Sequence, residues 1–366
     1  MKPKPHISQL DHYIPGKPIS EVTNEFGLTH VTKLASNENP WGCPVTTQDL
    51  EKTIQHAMRY PNLNRPQLIT SLATHYHVPE SHFILGNGSD DILQMIALAF
   101  LEQGDETVTA NHTFSVYKHV TQLMGATCIS VEMSQLSYSI DAIINAITEK
   151  TKLIFIANPN NPTGTLLPLT QIKTLLSALS SSPIMIVLDE AYREFVTEEP
   201  VNATIPLLNT YPNLVILRTF SKAYGLAGFR IGYGIMAENH ATILHKVRQP
   251  FNVNSIALTA AKIALDTPSF LDKTITNNTH QREWLTDKIK EMGLCVTHSH
   301  ANFICITLNR PEMDVYQALL RKGFIIRPLD SFGLAGHIRV SIGTPEQNQG
   351  FLNAFKKSIL ELDKEH

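Results

Sequence analysis

Cysteine is scarce in this sequence. The chain has four cysteines among 366 residues, and none of them stands in a CxxC pair or at the spacing of a zinc-ligand set. A disulfide framework and a cysteine-based metal centre are therefore not indicated, and reduced thiols are typical of cytoplasmic proteins. We expect a cytoplasmic protein in which Cys43, Cys128, Cys295 and Cys305 are reduced.

An excess of charge and long apolar runs are also lacking. The formal net charge at pH 7 is −3, which is small for this length and argues against a nucleic-acid or acidic-membrane partner. The N-terminus has no apolar stretch long enough for a signal peptide. The longest apolar run of the first third, residues 92–101, is broken by Gln94 and is too short to cross a bilayer. We therefore expect no nucleic acid and no membrane as partners.

Three functional signatures are missing as well. No GxGxxG follows an early strand, which disfavours a dinucleotide-dependent dehydrogenase. The segment before residue 35 is too short for a basic helix-turn-helix, which disfavours a DNA-binding regulator built on an enzyme fold. Two His-x-His pairs, His75 with His77 and His298 with His300, have no carboxylate or cysteine at ligand spacing. We expect these histidines to be structural or exposed, and we predict no metal.

The composition does provide for a large core. Hydrophobic residues make up 43% of the chain and charged residues 17%, so the length predicts two domains or one large α/β unit. Residues 1–34 are rich in Pro and Gly and predict an extended arm beside a second domain. We place a large domain, with a mostly parallel sheet flanked by helices, at residues 35–255, and a smaller α+β domain at residues 256–366.

Three short apolar runs predict the centre of the large domain. They are LIFIA at 153–157, IMIVLD at 184–189 and LVILR at 214–218. Each is apolar on both faces and is followed by polar residues, which is typical of buried parallel strands. Ligands bind at the carboxyl ends of such strands. The polar residues that follow the runs therefore predict the site; they are Asn161, Asp189, Tyr192, Thr219, Ser221, Lys222 and Arg230.

Together these residue types answer the demands of pyridoxal phosphate. Lys222 supplies the amine that an aldehyde needs to form a Schiff base. Asp189 is the carboxylate that stabilises a protonated pyridine nitrogen. Asn161 and Tyr192 are expected to donate hydrogen bonds to the phenolate oxygen of the cofactor. Each residue alone has an ordinary interpretation as a surface lysine, a helix cap or a turn, and their order along one sheet edge favours the cofactor.

The phosphate group of that cofactor needs several hydrogen-bond donors. We expect Thr219, Ser221 and Arg230 to provide them, together with the backbone of the glycine-rich turn GNGSDDI at 86–92. This turn precedes a predicted helix, where free amides and the helix dipole favour an anion. Phe114 is expected to stack on the pyridine ring.

The same segments resemble the fold-type I, class I and II aminotransferases. The resemblance rests on NPNNPTG at 158–164, LDEAY at 188–192 and SKAYGLAGFRIGY at 221–233. More narrowly, the chain is similar to the histidinol-phosphate aminotransferases in segments such as YIPGKP at 13–18 and KLASNENPWG at 33–42. The resemblance covers nearly the whole chain. It implies the α/β fold of that family, pyridoxal phosphate as cofactor, and Lys222, Asp189 and Tyr192 as catalytic residues.

The resemblance also implies further site residues. Ser89 and Asp90 would offer amides to the phosphate, and Tyr60 would reach the cofactor of the other subunit, which implies a homodimer. Substrate binding is expected at Tyr13, Asn37, Arg327 and Arg339. Arg339 matches the arginine that grips the substrate carboxylate, and two guanidinium groups can bind both a phosphate and a dicarboxylate.

The implied reaction is a ping-pong transamination. Histidinol phosphate and 2-oxoglutarate would be converted to imidazole acetol phosphate and glutamate, a step of histidine biosynthesis. Two alternatives on the same fold stay open at this point, because substrate choice depends on the arm and on the surroundings of Arg327. They are an aromatic-amino-acid aminotransferase and a decarboxylase of a phosphorylated amino acid.

Overall fold

The computed structural model describes residues 1–10, 16–62 and 66–364. Its helices are α1 Ile19–Phe26, α2 Thr47–Gln55, α3 Gln67–Tyr76, α4 Ser89–Phe100, α5 Val116–Leu123, α6 Ile140–Asn145, α7 Leu169–Ala178, α8 Glu238–Val247, α9 Ser255–Leu265, α10 Pro268–Lys290, α11 Glu312–Arg321 and α12 Pro345–Leu362. Its strands are β1 Thr32–Lys33, β2 Phe83–Gly86, β3 Glu106–Ala110, β4 Thr127–Val131, β5 Thr151–Ala157, β6 Met185–Asp189, β7 Leu214–Thr219, β8 Gly232–Met236, β9 Cys295–Val296, β10 Phe303–Thr307, β11 Phe324–Ile325, β12 Arg327–Pro328 and β13 His337–Ser341.

A seven-stranded sheet forms the centre of the molecule, in the order β2-β8-β7-β6-β5-β3-β4. Strand β8 is antiparallel to both of its neighbours, and the pairs from β7 to β4 are all parallel. The prediction of an α/β fold with a mostly parallel central sheet is confirmed.

The three predicted strands are the adjacent strands β5, β6 and β7, and both of their faces are buried. Ile154 and Ile156 of β5 belong to a hydrophobic cluster on one face, whereas Leu153 and Phe155 belong to a cluster on the other face. Side chains alternate across a strand, so an uninterrupted apolar run covers both faces of a sheet that has helices on each side.

Register brings the carboxyl ends of these strands together. Ala157, the last residue of β5, is paired with Asp189 of β6, which is paired in turn with Leu217 of β7. The chain segments that follow the three strands therefore leave the sheet side by side, as the sequence predicted.

A second sheet has four strands in the order β12-β13-β10-β9. Helices α10, α11 and α12 pack around it, and their apolar residues share one cluster with the strands, including Leu285, Val315 and Phe351. Residues 324–328 form two short strands, because β11 pairs with β1 and β12 pairs with β13.

The N-terminal arm is not wholly extended, which corrects the sequence-based expectation. Helix α1 lies within it, starting after Pro18 and ending at Gly27, whose φ of +63° favours glycine. Strand β1 pairs in parallel with β11, so this part of the arm lies beside the second sheet.

Helix α9 bears on the predicted division between the two domains at residue 255. Its buried alanines, Ala257, Ala260, Ala261 and Ala264, belong to the core of the seven-stranded sheet, and the helix packs on α2 and α3. The division at residue 255 stays a prediction. Among the described residues, no helix combines the length and apolar character needed to cross a lipid bilayer.

Candidate active site

A single cavity at the carboxyl edge of the seven-stranded sheet gathers most of the predicted site residues. Those that line it are Asn37, Ser89, Asp90, Phe114, Asn161, Asp189, Tyr192, Thr219, Ser221, Lys222, Arg230, Arg327 and Arg339. Tyr60 lines a different surface depression, and Tyr13 lies outside the described residues. The structure therefore brings together residues from both sheets that are up to 302 positions apart in the sequence, from Asn37 to Arg339.

Asp189 is the buried carboxylate of this cavity. It ends β6 and is 4% exposed, and burial raises its pKa from 3.8 to about 6. Two donors hold the carboxylate: the Tyr117 hydroxyl at 2.8 Å from Oδ2 and the Ala191 amide at 3.2 Å from Oδ1. Sequence reasoning missed Tyr117, which lies in the first turn of α5, three residues after Phe114.

Lys222 follows β7 and projects into the cavity from the loop after that strand. Its Nζ donates a hydrogen bond to the carbonyl oxygen of Ser36 at 3.2 Å and lies 5.7 Å from the centre of the Tyr192 ring. Ser36 belongs to the segment that follows β1, so the stretch just after the arm helps to position this amine. The amine is thus held inside the cavity that contains Asp189.

Several residues predicted to bind a phosphate surround the start of α4. Gly88 occupies the N-cap position without a capping side chain, so the first amides of the helix have no side-chain partner there. Arg230 closes over this turn: its guanidinium lies 3.4 Å from Asp90 Oδ2 and 3.5 Å from Ser221 Oγ. A Cβ at Gly88, whose φ is +83°, would lie 2.5 Å from Arg230 Nη2. Glycine therefore allows this close approach.

Two hydroxyl groups extend the donor set on the other side of Arg230. Thr219 Oγ1 donates to Ser221 Oγ at 3.0 Å and accepts from the Ser221 amide at 3.1 Å. Both residues are buried and line the cavity. Free helix amides, hydroxyl groups and a guanidinium form the donor set that a phosphate requires.

Asn37 connects the second sheet to Tyr192. Its side-chain amide donates to the Tyr192 hydroxyl at 3.0 Å, and its own backbone amide donates to Ser341 Oγ at 2.8 Å. Asn302 donates to the Asn37 carbonyl at 3.0 Å. Ser341 and Asn302 are supporting residues that sequence reasoning missed, because more than 260 positions separate them from Asn37 and no local pattern marks them.

Two arginines of the second sheet line the cavity side by side. Arg327 of β12 and Arg339 of β13 are direct cross-strand partners, so their side chains lie on the same face. Arg339 is 6% exposed and donates to the Ala35 carbonyl at 2.7 Å and to Asn161 Oδ1. Arg327 lies 5.7 Å from the centre of the Phe332 ring. Like charges placed side by side create a strong preference for an anion between them.

Phe114 and Tyr60, the two remaining aromatic residues of the predicted site that the structure describes, differ in their location. Phe114 lines the cavity and packs edge-on against Tyr117, with ring centres 5.7 Å apart. Tyr60 is 81% exposed and stacks on Phe251 at 4.5 Å, at the surface. The expected role of Tyr60 across a subunit interface therefore stays a prediction.

The donor set of the cavity fits pyridoxal phosphate. It combines an amine, a buried carboxylate and an anion site, which answer the aldehyde, the ring nitrogen and the phosphate of that cofactor. Residues 29–355 match the profile of the aminotransferase class I and II family. The chain belongs to this family.

Among the class I and II aminotransferases, several proteins are similar to the chain over nearly its whole length. Histidinol-phosphate aminotransferase 1 of Idiomarina loihiensis is 43% identical over 354 residues, which are 96% of each chain. The histidinol-phosphate aminotransferase of Bacillus subtilis is also 43% identical over 354 residues, covering 96% of this chain and 98% of the relative. The crystal structure of the Sinorhizobium meliloti histidinol-phosphate aminotransferase with pyridoxal-5'-phosphate matches with a TM-score of 0.88, at 24% identity, over 98% and 97% of the two chains. At that identity the structural match supports the fold.

Proposed function

We propose that the chain is a pyridoxal-phosphate-dependent aminotransferase that acts on histidinol phosphate. It transfers the amino group to 2-oxoglutarate and yields imidazole acetol phosphate and glutamate. The observation that carries the proposal is the 43% identity, over 96% of the chain, to two proteins named for this activity. The cavity supports it independently, because its residues match the chemistry of both the cofactor and the substrate anions.

When bound, pyridoxal phosphate supplies an electron sink for the breaking of the C–H bond beside the substrate nitrogen. Lys222 is the amine that would hold the aldehyde carbon of the cofactor. When it is not bound to the cofactor, Nζ would serve as the general base that takes the proton from the substrate carbon. The Ser36 carbonyl, 3.2 Å away, orients this amine.

Asp189 would hold the ring nitrogen of the cofactor in its protonated form. An ionised carboxylate favours a cation beside it, and burial with few competing waters strengthens that preference. Tyr117, which donates to Oδ2 at 2.8 Å, keeps the carboxylate ionised and directed at the ring. Phe114 would cover one face of the ring, and Asn161 and Tyr192 would bind its phenolate oxygen.

The anion site at α4 would hold the phosphate of the cofactor. The amides of Ser89 and Asp90 point out of the helix start, and Thr219, Ser221 and Arg230 complete the ring of donors. A phosphate between them would separate Arg230 from its present neighbour Asp90, since the two side chains are 3.4 Å apart.

The arginine pair at the cavity mouth suits the two substrates. Arg339 and Arg327 are cross-strand partners and both line the cavity, so together they form a doubly cationic surface. Histidinol phosphate carries a phosphate and glutamate carries two carboxylates. Planar guanidinium groups bind either anion in bidentate fashion, which lets one surface serve both half-reactions.

We also propose a cytoplasmic homodimer in which Tyr60 reaches the cofactor phosphate of the other subunit. Tyr60, Phe251 and Met58 are large apolar side chains that are between 47% and 81% exposed. Exposed apolar patches of this kind are typical of protein interfaces. All four cysteines are free, which agrees with a reducing compartment.

A substrate comparison tests the proposed function. The purified, cofactor-loaded protein is given 2-oxoglutarate with histidinol phosphate, phenylalanine or threonine phosphate, and glutamate and carbon dioxide are both measured. We expect glutamate formation with histidinol phosphate to have the highest kcat/KM. A higher value with phenylalanine would assign the chain to the aromatic aminotransferases, and carbon dioxide from threonine phosphate would assign it to the decarboxylases.

Hybrid dimers test the role of Tyr60. Lys222→Ala and Tyr60→Phe subunits are mixed after reversible dissociation, and turnover is measured. In a hybrid, the Lys222-bearing site receives Tyr60 from the Lys222→Ala subunit, so we expect each hybrid to recover one intact site. If Tyr60 acts within its own chain, mixing will recover nothing.

A further inference from the structure

A group of potential metal ligands lies outside the cavity described above. Within the parts of the chain that the structure describes, Glu198, His298 and His300 form the one set of three such side chains whose ligand atoms all lie within 4.8 Å of one another. His298 and His300 are the second His-x-His pair of the sequence. The carboxylate that completes the set comes from the loop after β6, a hundred residues earlier, so inspection of the local sequence could not find it.

The distances suit a small transition-metal ion. His300 Nδ1 lies 3.0 Å from Glu198 Oε2, and His298 Nε2 lies 3.8 Å from Glu198 Oε1. Ligand atoms around a tetrahedral zinc with bonds of about 2.0–2.1 Å lie roughly 3.3 Å apart, so small side-chain rotations would complete the coordination. The two imidazole rings meet edge to face, with centres 4.5 Å apart.

One ligand of the set is held in place by burial, and the other two face solvent. The side chain of His300 is 11% exposed, and its Nδ1 makes no aligned hydrogen bond to any described residue, although Glu198 is at ion-pair distance. The side chains of His298 and Glu198 are 81% and 45% exposed. A metal can therefore enter from solvent, and a water molecule can occupy the fourth position.

The chemistry of the ligands selects the class of metal. Imidazole nitrogen suits zinc, nickel and copper, whereas calcium and magnesium are bound by several oxygen ligands. Here one carboxylate stands beside two imidazoles. Calcium and magnesium, which need several oxygen ligands, are thus disfavoured.

We propose that Glu198, His298 and His300 form a binding site for a divalent transition metal, with zinc as the chemically best-suited ion. The site would connect two parts of the molecule. Glu198 belongs to the loop that follows β6 of the seven-stranded sheet, and the histidines precede β10 of the second sheet. The His300 amide also donates to the Gly164 carbonyl at 2.8 Å, in the turn that carries Asn161.

Bound zinc would therefore act as a clamp between the two sheets beside the active site. Because a ligand that binds only the folded state stabilises it, zinc at a hundredfold excess over Kd should raise the Tm by roughly 3–6 °C. This effect is independent of the proposed transamination, since none of the three residues lines the cavity.

Zinc titration of the cofactor-loaded protein tests the proposal. Exposed Cys43 and Cys295 can also bind zinc, so every variant is made in a Cys43→Ser, Cys295→Ser background. Zinc binding is followed by competition with a chromophoric chelator. We expect one zinc per chain, and at least a roughly tenfold weaker affinity in His298→Gln and in Glu198→Gln, since even the loss of groups behind the ligands costs 10–100-fold.

The other His-x-His pair of the chain provides the matched control. His75→Gln with His77→Asn removes two imidazoles at the same spacing, and His77 tolerates asparagine because its φ is +54°. We expect this control to bind zinc as the background does and to show the same rise in Tm. The proposal is overturned if the background binds no zinc, if His298→Gln and Glu198→Gln bind it with unchanged affinity, or if the control loses it equally.

X-ray absorption at the zinc edge identifies the ligands directly. We expect two imidazole nitrogens and a carboxylate oxygen at about 2.0–2.1 Å. Sulfur ligands, or a single imidazole, would contradict the assignment.

Discussion

Two neighbouring carboxylates at the end of β6 differ in what surrounds them. Asp189 faces the cavity, where neutral donors, the Tyr117 hydroxyl and the Ala191 amide, hold it, and burial raises its pKa to about 6. Glu190 faces the opposite side of the sheet and is fully buried against Arg218, which donates to Oε2 from Nε at 2.9 Å and from Nη2 at 2.7 Å.

Glu190 is therefore already paired with a cation, whereas the hydrogen bonds to Asp189 come from neutral groups. Glu190 also accepts a hydrogen bond from Thr204 Oγ1 at 2.7 Å, and Arg218 donates further hydrogen bonds to Tyr76, Asn202 and Val201. Both members of this buried ion pair are therefore saturated with hydrogen bonds. In the described part of the chain, the donors to Asp189 are the neutral Tyr117 hydroxyl and Ala191 amide, and no ion pair to it is present. Its burial therefore costs stability and creates a preference for a cationic ligand, which the ring nitrogen of the cofactor can satisfy.

The largest expected effect concerns the cavity. Lys222→Ala removes the amine that would hold the cofactor and carry the proton, so we expect kcat to fall by at least ~10²–10⁴-fold. Lys222→Arg keeps the positive charge but not the amine and should be equally inactive. Far-ultraviolet circular dichroism confirms that both variants are folded, and a variant with normal turnover would refute the role.

The next largest effect concerns the ion pair between Arg218 and Glu190, on the other side of the sheet. Arg218→Met leaves Glu190 buried without its cation, and we expect the free energy of unfolding to fall by about 3–5 kcal/mol. Turnover per folded, cofactor-loaded molecule should stay near that of the unchanged protein. Denaturant unfolding and steady-state kinetics measure the two quantities. A loss of turnover with unchanged stability would contradict this prediction, because Arg218 would then serve the reaction and not the stability of the fold.

Removal of the charge of Asp189 should have the opposite effect, with higher stability and lower turnover. Its pKa is about 6 in the folded chain and 3.8 ordinarily, so the stability that its protonated form provides is complete below pH 3.8 and is lost as pH rises through 6. Asp189→Asn should therefore stabilise the cofactor-free protein at pH 7.5 by up to roughly 3 kcal/mol. The same change should lower kcat by about 10²–10³-fold, because an electrostatic partner of the reaction is lost.

The measurement is the Tm of both proteins between pH 4.5 and 7.5, with and without pyridoxal phosphate. In the unchanged protein the rise in Tm on adding the cofactor should grow with pH across this window. In Asp189→Asn that growth should be reduced. Equal pH dependence in the two proteins would mean that Asp189 does not sense the cofactor.

The smallest effect concerns Glu194, which lies in the buried ionic group near Arg218. Its carboxylate makes no hydrogen bond to any residue that the structure describes, and burial raises its pKa from 4.5 to about 7. The stability of the protonated form is complete below pH 4.5 and is lost as pH rises through 7. Glu194→Gln should therefore raise stability by roughly 1–3 kcal/mol at pH 8 and have little effect at pH 4.5. Urea unfolding at both pH values checks this, and a destabilised variant at pH 8 would contradict it.

The features that sequence could predict are those with a local pattern. The runs at 153–157 and 214–218 are apolar on both faces, so they indicated buried strands, and the polar residues after them indicated the sheet edge. Lys222 and Asp189 follow directly from those positions. The predicted site residues that the structure describes meet in one cavity, with Tyr60 as the exception.

The features that sequence could not predict depend on contacts between distant segments. Ser341 and Asn302 support Asn37 across more than 260 positions, and Glu198 meets His300 only because the two sheets pack together. Helix α1 was missed for another reason. Pro18 precedes its first residue and Gly27 follows its last residue, which is typical of a short helix. In an arm rich in Pro and Gly, however, the same residues also suit an extended chain.

The identity of the lysine that carries the cofactor is the most direct test of this account. The purified protein is treated with borohydride, which fixes the cofactor to its lysine, and is then digested and analysed by peptide mass spectrometry. We predict that the added mass lies on Lys222 and that Asp189→Asn lowers the extent of labelling. Labelling of any other lysine, or none, would contradict the assignment of the active site.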